Sequence, residues 1–171
     1  MSLPFLLTDR HILVTGASSG IGRQCAITCS QLGARVSLLG RNEERLQETL
    51  SAMDRQADHR VWSVDLLDYD RVEEVVKAAV GGVGKISGLV NAAGISTILP
   101  LKSVSVKKME EYVQANVYAA YQLTRTATKQ AHFDESGGSV VFLSSVMSEV
   151  GEAGRSLYAL TKGALVSASK S

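Results

Sequence analysis

The chain has 171 residues, 45% of them hydrophobic and 20% charged, with a formal net charge of +1. That length fits one domain with a real core, and the near-neutral charge gives no electrostatic case for nucleic acid or an anionic membrane. No apolar run approaches the roughly 20 residues that a bilayer span needs. The opening Met1 to Leu7 stretch is too short, and lacks the basic flank, for a signal peptide, so cytoplasmic residence is expected.

In chain order, His11 to Thr15 reads as a buried strand and Gly16 to Gly22 as a small-residue loop. Arg23 to Leu32 reads as a helix, with Gly33 as its stop. Cys25 and Cys29 lie four apart on this helix, so they share a face, and are expected as two buried thiols rather than a redox pair, because no C-x-x-C spacing is present. Arg35 to Leu39 is a second strand. Asn42 caps a helix running to about Met53, and Glu43 and Glu44 suit its positive end. Val61 to Val64 is a third strand. Asp68 caps a helix to about Val80, with Val72, Val75, Val76 and Ala79 on one face. Gly81 to Gly84 is expected as a turn, Ile86 to Val90 as a fourth strand, and Ser105 to Ala131 as a long helical stretch with a break. Gly138 to Leu143 is a fifth strand, and a helical pattern begins near Leu157.

Strands alternating with helices imply an α/β fold: a doubly wound parallel sheet of Rossmann type, with strand order 3-2-1-4-5. Residues 1–171 are expected to form a single dinucleotide-binding and catalytic domain. The three histidines are scattered, without neighbours at ligand spacing, so no metal site is expected.

The first strand runs into Gly16-Ala17-Ser18-Ser19-Gly20-Ile21-Gly22, and a helix follows. Glycines let the backbone turn tightly and let a pyrophosphate approach it, while the helix start offers free N–H groups and a positive dipole. Ser18 and Ser19 add hydroxyl donors. The second strand ends Gly40-Arg41-Asn42, with no carboxylate at its tip. A carboxylate there would hold the 2′-hydroxyl of NAD, whereas a guanidinium suits the 2′-phosphate of NADP. Arg41 therefore points to NADP, with NAD the weaker candidate. Asp65 is placed to accept from the adenine amino group, with Leu66 beside the ring. Asn91-Ala92-Ala93-Gly94, after the fourth strand, supplies small residues at the switch point where ligands bind.

Ser144-Ser145 precedes Tyr158-Ala159-Leu160-Thr161-Lys162. Tyr158 and Lys162 are four apart on a predicted helix, so they share a face. A free tyrosine has a pKa of about 10, and a nearby ammonium lowers such a value toward the range useful for acid–base work. Ser145, at the end of the fifth strand, is placed to polarise a substrate carbonyl.

With these motifs in order, the chain resembles the short-chain dehydrogenase/reductase family, in its common single-domain branch. The resemblance implies that Tyr158 is the acid–base, that Lys162 tunes it and holds the nicotinamide ribose, and that Ser145 orients the carbonyl. It also implies that Asn116 holds a water in a proton relay to Lys162. Related subunits of the family pair through the long helix and the Tyr–Lys helix, so a homodimer or homotetramer is implied, with Val117, Ala120 and Leu123 as apolar candidates that equally permit packing on the sheet.

Members of the family continue well past this last helix, whereas Ser171 stands nine residues after Lys162. The expectation is a chain missing the family's C-terminal strands, with its fifth strand an open edge. The function expected is hydride transfer between NADP(H) and a small-molecule carbonyl or alcohol. A 3-oxoacyl reductase is one version, though Lys129 to Gly138 lacks the basic character that an acidic carrier would favour. The competing readings are a non-catalytic dinucleotide-binding or assembly module, and a methyltransferase, whose chemistry has no use for the tyrosine–lysine pair. Specificity is expected to lie in Ile95 to Leu101 and Met147 to Leu157.

Overall fold

A computed structural model describes residues 6–54 and 56–171; the first five residues of the opening stretch lie outside them. Five parallel strands, β1 (His11–Thr15), β2 (Arg35–Gly40), β3 (Arg60–Ser63), β4 (Gly88–Asn91) and β5 (Ser139–Phe142), pair in the order β3-β2-β1-β4-β5. This is the doubly wound arrangement expected from the alternation of strands and helices. The reversal of order between β1 and β4 opens a crevice at their carboxyl ends.

Helices α1 (Gly20–Gln31), α2 (Glu43–Ser51), α3 (Tyr69–Val83), α4 (Val106–Val113), α5 (Ala119–Ala127) and α6 (Ser156–Ser169) complete the chain. One apolar core gathers Val14, Val36, Leu38, Ala26 and Leu46. The other gathers Leu13, Leu39, Leu89, Val72, Val76 and Leu123. Successive strand residues thus feed opposite faces, as the strand period requires. Each buried Val or Leu side chain among them contributes about 1.5–3 kcal/mol.

Local chemistry sets the boundaries. Asn42 and Asp68 accept from the N–H of Arg45 and Arg71, as expected of N-caps. Gly33 takes φ +91 just past α1, where a left-handed residue ends a helix. Two boundaries differ most from expectation. Helix α1 begins at Gly20 rather than Arg23, so the end of the glycine loop is itself the first helical turn. Helix α3 runs through Gly81 and Gly82 to Val83, and the chain turns only at Gly84, with φ +110. Each helical glycine costs about 1 kcal/mol, which the burial of Val83 in the core offsets.

The expected break in the long helix is a π-turn at Gln114–Tyr118 between α4 and α5. Ala120 and Leu123 are buried, Leu123 in the core against the sheet. Exposed apolar side chains of this region include Val106, Met109, Tyr118 and Tyr121. Among the described residues β5 pairs only with β4, and its other side is an edge. Among the described residues no helix is long and apolar enough to cross a membrane.

Candidate active site

An open cleft of about 390 Å³ lies over the carboxyl ends of the strands. Gly16, Ser18, Ser19, Gly20, Ile21 and Gly22 form its floor. Arg41, Asp65 and Leu66 stand at one end, and Ala92 and Gly94 at the other. Eleven of the twelve residues expected at the cofactor apart from Tyr158 and Lys162 therefore line one surface. The twelfth, Asn91, does not line it: its amide donates to Thr124 Oγ1 at 3.1 Å, tying β4 to α5. The small residues after it, not Asn91 itself, face the cleft.

The loop fits a phosphate in detail. Gly16 has φ +63, and a Cβ on it would lie 2.9 Å from Ala93 N. A Cβ on Gly22 would meet Thr15 O at 2.8 Å. Gly20, at φ +53, faces open space. Ser19 makes no side-chain cap bond, so the first-turn N–H groups of α1 stay unsatisfied by the helix, as an anion site requires. The Thr15 hydroxyl accepts from both Ala92 N and Ala93 N at 3.0 Å. This clamp of β1 to the tip of β4 carried no sequence signal beyond a hydroxyl at the end of an apolar strand.

At the second strand's tip, Arg41 is exposed and makes no ion pair among the described residues. Its backbone is held by Ser63 Oγ at 3.2 Å. One oxygen of Asp65 accepts from Leu67 N at 3.0 Å. The helix after it is capped by Asp68, leaving Asp65 on the cleft.

On the catalytic side, Lys162 is buried and donates from Nζ to Leu143 O at 2.6 Å. Its ammonium lies 5.7 Å from the Tyr158 ring centroid. Burial pushes this lysine below its ordinary pKa. Ser145 Oγ accepts from Met147 N at 3.2 Å, and its hydroxyl proton has no acceptor among the described residues. Asn116 is fully buried at the centre of the π-turn. Its oxygen accepts from Ile95 N at 2.7 Å, and its amide donates to Ile95 O and to Thr161 Oγ1, each at 3.0 Å. The Thr161 hydroxyl in turn donates to Tyr158 O at 2.8 Å. Asn116 thus bolts the chain after β4 to the Tyr158–Lys162 helix.

The two segments expected to set specificity are joined as well. Leu99 N donates to Gly154 O at 2.8 Å, and Arg155 Nη1 donates to Ser96 Oγ at 2.9 Å. Thr161, Ser96 and Arg155 were not singled out from sequence, because these are contacts between distant segments.

A glycine-loop cleft at the switch point of a parallel sheet defines a Rossmann-type fold; Tyr158 and Lys162 do not line that cleft, though Lys162 Nζ lies 3.7 Å from where a Cβ on Gly94 would stand. The chain belongs to the short chain dehydrogenase family, whose pattern it matches over residues 10–171. It is 34% identical over 162 residues to the oxidoreductase YciK of Escherichia coli, covering 92% of this chain and 64% of that protein. It is 33% identical over 168 residues to 3-ketodihydrosphingosine reductase of Bos taurus, covering 95% of this chain and 50% of the relative. A solved dehydrogenase/reductase of Sinorhizobium meliloti superposes with a TM-score of 0.89 at 29% identity, over 95% of this chain and 65% of its own. The chain thus spans between half and two thirds of the length of these proteins.

Proposed function

We propose that this chain is the dinucleotide-binding and catalytic domain of a reductase or dehydrogenase using NADP(H), acting on a small carbonyl or alcohol. The single observation that carries this reading is the meeting of cleft and helix at Gly94. A Cβ there would lie 3.0 Å from Asn116 Oδ1 and 3.7 Å from Lys162 Nζ, so the glycine keeps the cofactor cleft open toward the catalytic lysine.

When bound, the nicotinamide supplies or accepts the hydride. Tyr158 then gives the carbonyl oxygen its proton in reduction and takes the hydroxyl proton in oxidation. Ser145 donates its free O–H to the same oxygen. The Lys162 ammonium stands beside the tyrosine ring, and its lowered pKa suits it to pass a proton onward. Asn116 serves this machinery by holding Ile95 and Thr161; its amide is committed to those partners, so a water in the relay would have to be held by its backbone. The unpaired Arg41 guanidinium supports NADP over NAD, because a 2′-phosphate would give it a partner. Exposed Tyr118 and Tyr121 support self-association through the long helix, as a homodimer or homotetramer. Cytoplasmic residence is part of the same reading.

The test combines two variants. Tyr158→Phe should keep NADPH affinity and lose about 100- to 10,000-fold in turnover. Arg41→Ala should weaken NADPH and leave NADH unchanged. Substantial turnover in the first variant removes Tyr158 from the proton step. Equal losses in the second remove the NADP preference. Dinucleotide binding with no turnover on any ketone or alcohol would favour the non-catalytic binding module.

A further inference from the structure

Below the phosphate loop, α2 reaches in with Thr49, which is wholly buried. Its Oγ1 lies 2.8 Å from the carbonyl oxygen of Ala17, itself wholly buried. Arg23 Nε donates to the same hydroxyl at 2.9 Å, and Arg23 Nη2 is held by Glu48 at 2.7 Å and by Arg45 O at 3.2 Å. The hydroxyl accepts from Arg23 and keeps one proton to give. Two acceptors are in reach: Ala17 O, and Arg45 O at 3.0 Å. The Arg45 carbonyl already serves Arg23 and the helical ladder, whereas among the described residues nothing else donates to Ala17 O. An unpaired buried carbonyl is more costly than a redundant bond is useful, so the proton goes to Ala17.

That bond has a consequence on the other side of the peptide. In a trans peptide the C=O and the following N–H point in opposite directions, and the described chain has no cis peptide bond. With the Ala17 carbonyl drawn down onto Thr49, the Ser18 N–H points away from Thr49, and Ser18 itself lines the cleft. Among the described residues this N–H has no partner.

We propose that Thr49 is a positioning residue for the cofactor: through the Ala17 carbonyl, and braced by Arg23, it fixes the Ser18 amide as a donor to the dinucleotide pyrophosphate. This rests on the dinucleotide reading above and adds a residue that touches no cofactor. Without the bond, the Ala17–Ser18 peptide is free to rotate, and a carbonyl can face the anion in place of an N–H.

The test compares Thr49→Val, which keeps the shape and loses the hydroxyl, with Thr49→Ser, which keeps the hydroxyl. Titration of NADPH and NADH by nicotinamide fluorescence should show a loss of roughly tenfold to a hundredfold for both in Thr49→Val, the scale of one bond to a charged group. Thr49→Ser should bind as the parent does. The backbone amide resonance of Ser18 should move on addition of inorganic pyrophosphate in the parent and in Thr49→Ser, and stay still in Thr49→Val. Parent-like affinity in Thr49→Val, or an equal loss in Thr49→Ser, overturns the proposal. A parent chain that binds no dinucleotide overturns this proposal and the cofactor reading together. A parent that binds NADH and NADPH alike overturns only the role of Arg41.

Discussion

The two ends of the cleft are built on different principles. At the glycine-loop end the cleft is lined by a single short segment, Gly16 to Gly22, where a Cβ on Gly16 or Gly22 would strike neighbouring backbone. At the other end the candidate groups are side chains that follow β5 or stand on the π-turn and α6. Those elements are held together by bonds between residues far apart in sequence, such as Asn116 to Thr161 and Lys162 to Leu143. A site made of local backbone depends on what cannot be added to it. A site made of distant side chains depends on what cannot be removed.

The largest expected effect that tests this contrast is at Asn116. Asn116→Leu fills similar space but leaves the Ile95 N–H and carbonyl without their partner and takes the donor from Thr161. At about 1–3 kcal/mol for each buried group left unpaired, stability should fall by about 2–6 kcal/mol in chemical denaturation. Where the variant stays folded, dinucleotide affinity should change far less than turnover, because the phosphate loop contacts none of these bonds. A loss of affinity as large as the loss of turnover would show that the two ends are one mechanical unit.

The opposite test adds a single methyl group to the local end. Gly22→Ala places a Cβ within 2.8 Å of Thr15 O, where backbone must move. A cost of about 1–3 kcal/mol is expected for such overpacking, with dinucleotide affinity falling more than tenfold. Gly20→Ala meets no atom within 4 Å but is held at φ +53. Its cost should be the smaller, about 1–2 kcal/mol from the left-handed backbone alone. Thermal unfolding of the two variants in the same buffer gives the order, and a reversed order would mean that the loop relaxes around Gly22.

The same contrast governs what could be read in advance. The sheet order, the caps at Asn42 and Asp68, and the gathering of Gly16, Ser18, Arg41 and Asp65 on one surface follow from local pattern and from one topological rule. Strand position alone does not say which neighbour the Asn91 amide meets, and Thr124 on α5 takes it. The break in the long helix was foreseen, but not its form. The π-turn is secured by Asn116 reaching Ile95 and Thr161, partners 21 and 45 residues away. Thr49 was unreadable for the same reason: nothing in α2's own sequence marks a bond to Ala17, 32 residues before it.

The smallest predicted effect concerns a third region, the amino-terminal edge of the sheet, away from both ends of the cleft. His11 is wholly buried. Its Nδ1 lies 2.7 Å from Gly84 O, which only accepts, so Nδ1 carries the proton. Its Nε2, 2.9 Å from Ser37 Oγ, then accepts from that hydroxyl, which in turn accepts from Trp62 Nε1 at 3.3 Å. A second proton on the ring would turn Nε2 into a donor facing a hydroxyl already committed to donate. Burial pushes the His11 pKa below its usual 6.5; the Gly84 bond opposes this and the nearby Arg35 charge adds to it. The unfolded chain therefore takes up a proton as pH falls through 6.5, while the folded chain does not. Stability from this group is unchanged above that pH and declines below it, until the folded ring also titrates. The slope cannot exceed about 1.4 kcal/mol per pH unit for one proton. Urea midpoints at pH 7.5, 6.5 and 5.5 should fall in the parent. They should fall less steeply in His11→Gln, even though that variant starts lower. Dinucleotide affinity should follow neither series, since the histidine stands at the opposite edge from the cleft. Parallel slopes in the two proteins would assign the acid sensitivity to other groups and leave His11 a purely structural link between β1, β2 and the turn at Gly84.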